Sequence, residues 1–225
     1  MKNDNGKINP PIESAYDKID RIVRSGFLII PGVGSTAGEI FNSIITPPIE
    51  LRKQEWMKEV SNALNALYEK KLIDLAELQS NEEFITILIQ ASSVALKSHQ
   101  KEKIEALINA IKHSISPEPP PFSLQTVFIS IIDKMSEWHF RFLFFFESLN
   151  GAACMDMSEE DGFENWLESW FGDLEGYRDI YKFILQDLQS MGLIPEQPYK
   201  HGDSLAFGNV TDIGRQFVNY IKKKG

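Results

Sequence analysis

The sequence predicts a mostly α-helical chain: an N-terminal helical hairpin or bundle followed by a winged-helix-like domain with a small β-hairpin. Three observations carry this expectation. Apolar residues recur at intervals of three and four over long stretches, the spacing of one helix face. Four prolines fall within residues 117–121, where none can continue a helix. Beyond them the pattern reads as helices, then two short strand-like runs, then a closing helix, the order of a winged-helix module.

From the N-terminus, Ser14 to Arg24 reads as a short helix, and Gly26 to Gly38 as a glycine-rich bend. Thr46-Pro47-Pro48 resembles a helix start, with threonine as cap and proline in the first turn. The helix then runs to Leu72, with Trp56, Val60, Leu64 and Leu67 on one face. Ser80 to Glu83 has the S-x-x-E form of a capping box. It opens a helical pattern to about Ser114, interrupted by the polar interval Lys97 to Lys103, where the helix bends or leaves the core. The helix ending at Leu72 and the one opening at Ser80, two long helices joined by a short loop, would make an antiparallel hairpin, with the N-terminal segment packing across it.

The proline run is read as a stiff linker over residues 117–121, between a helical domain at 12–116 and a winged-helix-like domain at 122–225. Charge supports the division. Residues 1–116 carry 14 Lys and Arg against 15 Asp and Glu, whereas residues 117–225 carry 9 against 17. In the second part Ser123 to Lys134 and Ser136 to Leu149 read as helices. Met155 to Gly162 is an acidic loop, and Phe163 to Phe171 a short aromatic helix. A helix from Leu174 to Met191 is stopped by Gly192. Leu193 to Pro195 and Ser204 to Phe207 are the two short strands, and Thr211 opens the last helix, with Ile213, Phe217 and Ile221 facing inward.

Composition narrows function. The chain has 225 residues and 43% hydrophobic content, too apolar to be disordered as a whole. A single cysteine, Cys154, excludes a disulfide framework and a multi-cysteine metal site. Cys154 lies beside Asp156, Glu159, Glu160 and Asp161, whose charge suppresses the thiolate a nucleophile needs. The acidic run there lacks the order of an EF-hand loop. His99, His113, His139 and His201 are scattered; His99 with Glu102 and Lys103 reads as a solvated helix face, and His139 as a hydrogen-bonded core or boundary residue. In Gly32 to Gly38 the third glycine is misplaced for a dinucleotide-binding turn, and no Lys-Ser/Thr follows as a P-loop needs. Gly34 and Gly38 instead clear one helix face for close packing. No catalytic, cofactor-binding or metal-binding residue is assigned, and no cofactor is expected.

The net charge of −9 opposes nucleic-acid binding, since phosphate contacts require a surplus of Lys and Arg. The helix from Leu174 to Met191 would be the DNA-reading element, yet Arg178 and Lys182 are outweighed there by Glu175, Asp179 and Asp187. A DNA-binding regulator is therefore a secondary alternative, and an acidic module leans toward docking protein. The aromatic content of residues 138–183 points the same way. Trp138, Phe142, Trp166, Trp170 and Tyr177 are the candidate anchors for a protein partner or a second copy of the chain. The N-terminus has no signal-peptide core, and the lone cysteine fits a reducing, cytoplasmic setting. The apolar, glycine-rich segment 27–45 keeps peripheral membrane contact, and a membrane-acting effector, as a further alternative.

Two runs, PGVGSTAGEIFNSIITPPIELRKQEWMKEV and NEEFITILIQASSVALKSHQKEKIEALINAI, resemble an uncharacterised bacterial helical family. The ending LQSMGLI with VTDIGRQFVNYI resembles the closing hairpin and helix of winged-helix modules. The overall plan is similar to the Abi-alpha type of abortive-infection protein, which implies bacterial origin and a role in anti-phage defence. That class has no agreed catalytic residues, so none is carried onto this chain. The expected function is a non-enzymatic protein–protein interaction module, a self-associating adaptor or an effector component.

Overall fold

The computed structural model describes residues 35–148, 171, 178–195, 199–201, 204–206 and 210–222. Over these residues the protein is mostly α-helical. The chain divides into two compact units, residues 1–133 and 134–225. The boundary thus falls one helix later than the proline run suggests.

Unit 1 is built on α1 (Ser35–Glu69), α3 (Glu82–Lys97) and α4 (Lys101–Ser114), which pack on one another, with the short α2 (Leu75–Leu78) between α1 and α3. The periodic apolar face of α1 is buried at Trp56, Val60 and Leu64. It meets Ile87, Ala91 and Ala95 of α3 and Leu107 and Ile111 of α4 in a shared interior. The two long helical stretches of the expected hairpin do pack on each other, while the N-terminal segment expected to cross them lies largely outside the described residues. The Trp56 indole N–H donates to Ser92 Oγ at 2.9 Å, and Ser92 in turn donates to the Leu88 carbonyl at 2.7 Å. The large ring is thereby buried without an orphaned donor.

Local readings needed correction at the helix ends. The expected start at Thr46 is absent: α1 begins at Ser35, so Gly38 is helical, and it continues through Pro47 and Pro48. Each proline removes a ladder donor, at about 3 kcal/mol in a helix interior. Ile44, Thr46 and Pro48 are exposed, so water can replace the missing donors. The cap of α3 is Asn81, whose side chain accepts from the Phe84 amide at 3.0 Å, rather than Ser80, whose hydroxyl donates back to the Glu77 carbonyl. The polar interval is a true break at Ser98 to Gln100, where Ser98 Oγ accepts from the Gln100 amide.

The prolines lead directly into α5 (Phe122–Lys134). The Pro121 carbonyl accepts from the amides of Leu124 and Gln125, and the Gln125 side chain donates to the Pro120 carbonyl at 2.7 Å. Prolines are tolerated just ahead of a first turn because its N–H groups have no helical partner. They begin a helix of unit 1, with Phe128, Ile129 and Ile132 buried.

Unit 2 contains α6 (Glu137–Ser148), α7 (Arg178–Ser190), a pair of short antiparallel strands, β1 (Tyr199–His201) and β2 (Ser204–Ala206), and α8 (Asp212–Ile221). Tyr199 pairs with Ala206 and His201 with Ser204. The first strand is therefore not Leu193 to Pro195. Those residues are held in the stop of α7: Gly192, at φ 72°, donates to the Gln189 carbonyl, and Leu193 to that of Leu188. This is a Schellman arrangement, which consumes backbone groups a strand would need. The expectations for Ser14 to Arg24, Gly26 to Gly34, Met155 to Gly162 and Phe163 to Trp170 lie outside the described residues.

The α7 stop and the α8 start lock together. The Thr211 amide donates to the Leu193 carbonyl at 3.0 Å, and its hydroxyl donates to the Gly192 carbonyl at 2.5 Å. The same hydroxyl oxygen accepts from the Gly214 amide, capping α8. A Cβ on Gly214 would stand 2.1 Å from the Leu193 carbonyl oxygen and 2.9 Å from its carbon.

Two substitutions test these ends. Lys71 closes α1 in the left-handed region at φ 56°, donating to the Tyr68 carbonyl while Leu72 donates to that of Leu67. Lys71→Gly should raise stability by about 1 kcal/mol in urea unfolding, since glycine occupies that region without strain. Gly214→Ala should do the opposite. Alanine favours a helix by about 1 kcal/mol, but a backbone clash at 2.1 Å outweighs it, and a loss of about 3 kcal/mol or more is expected in thermal unfolding. An unchanged midpoint would contradict the close approach.

Candidate functional site

The aromatic residues of unit 2 gather first into a core. Phe142 stacks on Phe171 with centroids 4.6 Å apart and lies 5.7 Å from Tyr181, whose hydroxyl donates to the Phe171 carbonyl at 3.1 Å. Phe145 meets Phe171 edge-on at 5.3 Å. Phe142 is fully buried. It therefore cannot serve as the partner anchor expected of it; its ring is spent inside the chain's own interior. Trp138 is half-buried, lying edge-on to Phe171 and beneath the Arg141 guanidinium at 4.1 Å. Trp166, Trp170, Tyr177 and Gly34 lie outside the described residues. Lys222 ties the end of α8 to α6, donating to Glu147 at 2.5 Å and lying 5.1 Å over Phe144.

Among the described residues of unit 2, the large exposed apolar side chains lie instead on α7. Tyr181, Ile184 and Leu188 are buried, while Phe183 is 59% exposed and Ile180 is 38% exposed. Ile180 and Phe183 are three apart and so share the outward face. Asp179, Lys182 and Gln186 are exposed around them. The face thus carries two large apolar side chains beside the acids Asp179 and Asp187, the latter four residues after Phe183 and partly exposed, and the base Lys182. Neither residue was a candidate anchor. The available signal was the helix itself, in which three buried positions at helical spacing leave Ile180 and Phe183 over.

A second constellation links α6 to α7. His139 is 4% exposed. Its Nδ1 accepts from the Ser136 amide at 3.1 Å and faces Ser136 Oγ at 2.7 Å, while Nε2 faces Asp187 Oδ2 at 3.3 Å. A backbone N–H only donates, so Nδ1 holds the lone pair and the proton sits on Nε2, directed at Asp187. The order serine–histidine–aspartate matches that of a nucleophile relay. Here, however, the nitrogen facing the hydroxyl is also committed to the helix start, in the manner of a capping box with histidine in place of glutamate. The expectation of a hydrogen-bonded core histidine describes this residue.

In unit 1, an open cleft of about 290 Å³ lies at the break between α3 and α4, lined by Val94, Lys97, Ser98, His99, Gln100, Lys103 and Asp133. Lys103 is 9% exposed, and its ammonium donates to the Asp133 backbone carbonyl at 2.9 Å, at the end of α5. Burial pulls its pKa below the usual lysine value, and the Asp133 charge partly offsets this. The reading of His99, Glu102 and Lys103 as a solvated face therefore fails at Lys103. The Gln100 side-chain oxygen is buried with no hydrogen-bond partner among the described residues.

Among the described residues no group of three or more His, Cys, Asp or Glu is placed to hold a metal ion, and no helix is long and apolar enough to cross a membrane. No family model, curated protein or solved structure matches the chain.

His139→Phe keeps a ring in place but leaves the Ser136 amide without its acceptor and Asp187 without its partner. A loss of about 1–3 kcal/mol is expected in urea unfolding. A change of only a few tenths would show the histidine to be replaceable by packing alone.

Proposed function

We propose that this chain is a non-catalytic docking module that associates with a second copy of itself through the outward face of α7. The observation that carries this reading is the exposure of Phe183 beside Ile180 on a helix whose opposite face is buried. A ring exposed to that extent is an unfavourable surface unless something covers it. Asp179 and Lys182 on the same face make it self-complementary: two such helices meeting about a two-fold axis set acid against base around an apolar centre. Self-association answers to this local balance rather than to the net charge of residues 117–225.

Among the described residues of unit 2, the order α6, α7, a two-stranded ribbon and the closing α8 supports reading that unit as winged-helix-like, with α7 in the place of the groove-reading helix. Phe183 and Ile180 on that helix favour protein over the phosphate backbone. The resemblance to Abi-alpha proteins supports a role as an adaptor or effector component in bacterial anti-phage defence, by contact rather than by chemistry.

Sedimentation velocity on the full chain should show a concentration-dependent dimer that Phe183→Asp converts to monomer without loss of helical circular dichroism. A wild-type monomer throughout the micromolar range, or assembly that Phe183→Asp leaves intact, would overturn the reading. Retardation of DNA at low salt, abolished by Lys182→Glu, would replace it with the regulator alternative.

A further inference from the structure

We propose that the cleft at the α3–α4 break binds a small oxyanion that keeps a hydroxyl at neutral pH, of which inorganic phosphate is the simplest. The inference is independent of the docking face on α7. Its basis is a pair of buried groups whose hydrogen-bonding capacity is unspent. The Lys103 ammonium has three N–H donors. It is nine-tenths buried in the cleft wall and is given one acceptor, the Asp133 carbonyl. Gln100, in the same wall, holds a buried side-chain oxygen with no donor among the described residues. Buried polar groups of this kind are ordinarily satisfied.

Together they ask for a ligand that accepts from Lys103 and donates to Gln100. A fully deprotonated anion fills only the first need, and a simple alcohol lacks the charge for Lys103. Hydrogen phosphate does both: its bare oxygens accept, and its P–OH donates. Two further features favour an anion. Lys97 and His99 stand on the rim, so the lining holds two lysines against the single carboxylate of Asp133. The first turn of α4, fourteen residues long, opens at the same place, and its cap residue Gln100 makes no side-chain capping bond. The orphaned amides and the positive end of the helix dipole lie at that same end of α4. The cleft exceeds what a phosphate ion fills, leaving room for an organic group attached to it.

Sulfate is the discriminating probe, because it has the shape and charge of phosphate but no hydroxyl at neutral pH. Isothermal titration of the full chain with inorganic phosphate should give saturable binding, with sulfate about tenfold weaker, the worth of one charge-assisted hydrogen bond. Gln100→Leu should abolish the preference for phosphate, and Lys103→Met should weaken both anions by about tenfold or more. If Lys103→Met fails to fold, Lys97→Met, at an exposed position, carries the same test through a severalfold loss. Absence of saturable binding at millimolar phosphate, equal affinity for phosphate and sulfate in the wild type, or Lys97 and Lys103 variants that bind like the wild type would each overturn the proposal.

Discussion

A chain whose described residues are mostly helical must satisfy the backbone groups left over at each helix end, and much of this structure follows from how it does so. Short polar side chains serve the N-termini: Asp74 for α2, Asn81 for α3 and Thr211 for α8. Left-handed residues close the C-termini of α1 and α7. Long cationic side chains reach across to the ends of other helices, Arg52 toward the Leu96 carbonyl at 3.5 Å and Lys103 to that of Asp133 at 2.9 Å. These last contacts also join elements, because the donor sits on one helix and the acceptor on the next. The cap residue of α4, Gln100, makes no side-chain capping bond, and this helix opens on a cleft.

In unit 2 the same requirement produces a tighter device. Thr211 serves two ends at once, donating into the stop of α7 and accepting from the start of α8. The contact is close enough that only a hydrogen fits at position 214. Around this joint the aromatic side chains of α6 and α7 and Phe171 fill the interior, leaving Phe183 and Ile180 outside it. Core and candidate interface are thus two faces of one helix, separated by a rotation along its axis.

Much of the framework was legible in the sequence because it rests on local pattern. The spacing of Trp56, Val60 and Leu64, the stop at Gly192, the cap at Thr211 and the polar break after Lys97 each depend on residues within a few positions of one another. What escaped depends on distant partners. Lys103 meets a carbonyl 30 residues away and His139 a carboxylate 48 residues away. A lysine inside a polar run carries no sign of such burial, and a helix apolar on several sides does not declare which ring faces solvent. Phe142 and Phe183 look equivalent as letters; the packing of Phe171 and Tyr181 sets them apart. The prolines misled for another reason. The chemistry that forbids a helix before residue 121 also suits its start at Phe122, so a terminator and an initiator share one signature.

The length of α1 has a thermodynamic corollary. At 35 residues it runs about 52 Å, roughly twice α3 or α4. Among the described side chains from Ile44 to Glu55 none is buried, and Ile44 and Leu51 are more than half exposed. The helix therefore consists of two segments of unequal tenacity. From Trp56 onward, unwinding means dismantling the bundle. Between Ile44 and Glu55, with two ladder donors removed at Pro47 and Pro48, unwinding forfeits little beyond the segment's own hydrogen bonds and the Arg52 contact to the Leu96 carbonyl. Amide protons along this one continuous rod would accordingly exchange with solvent on two separate clocks, with the changeover at the indole that anchors it.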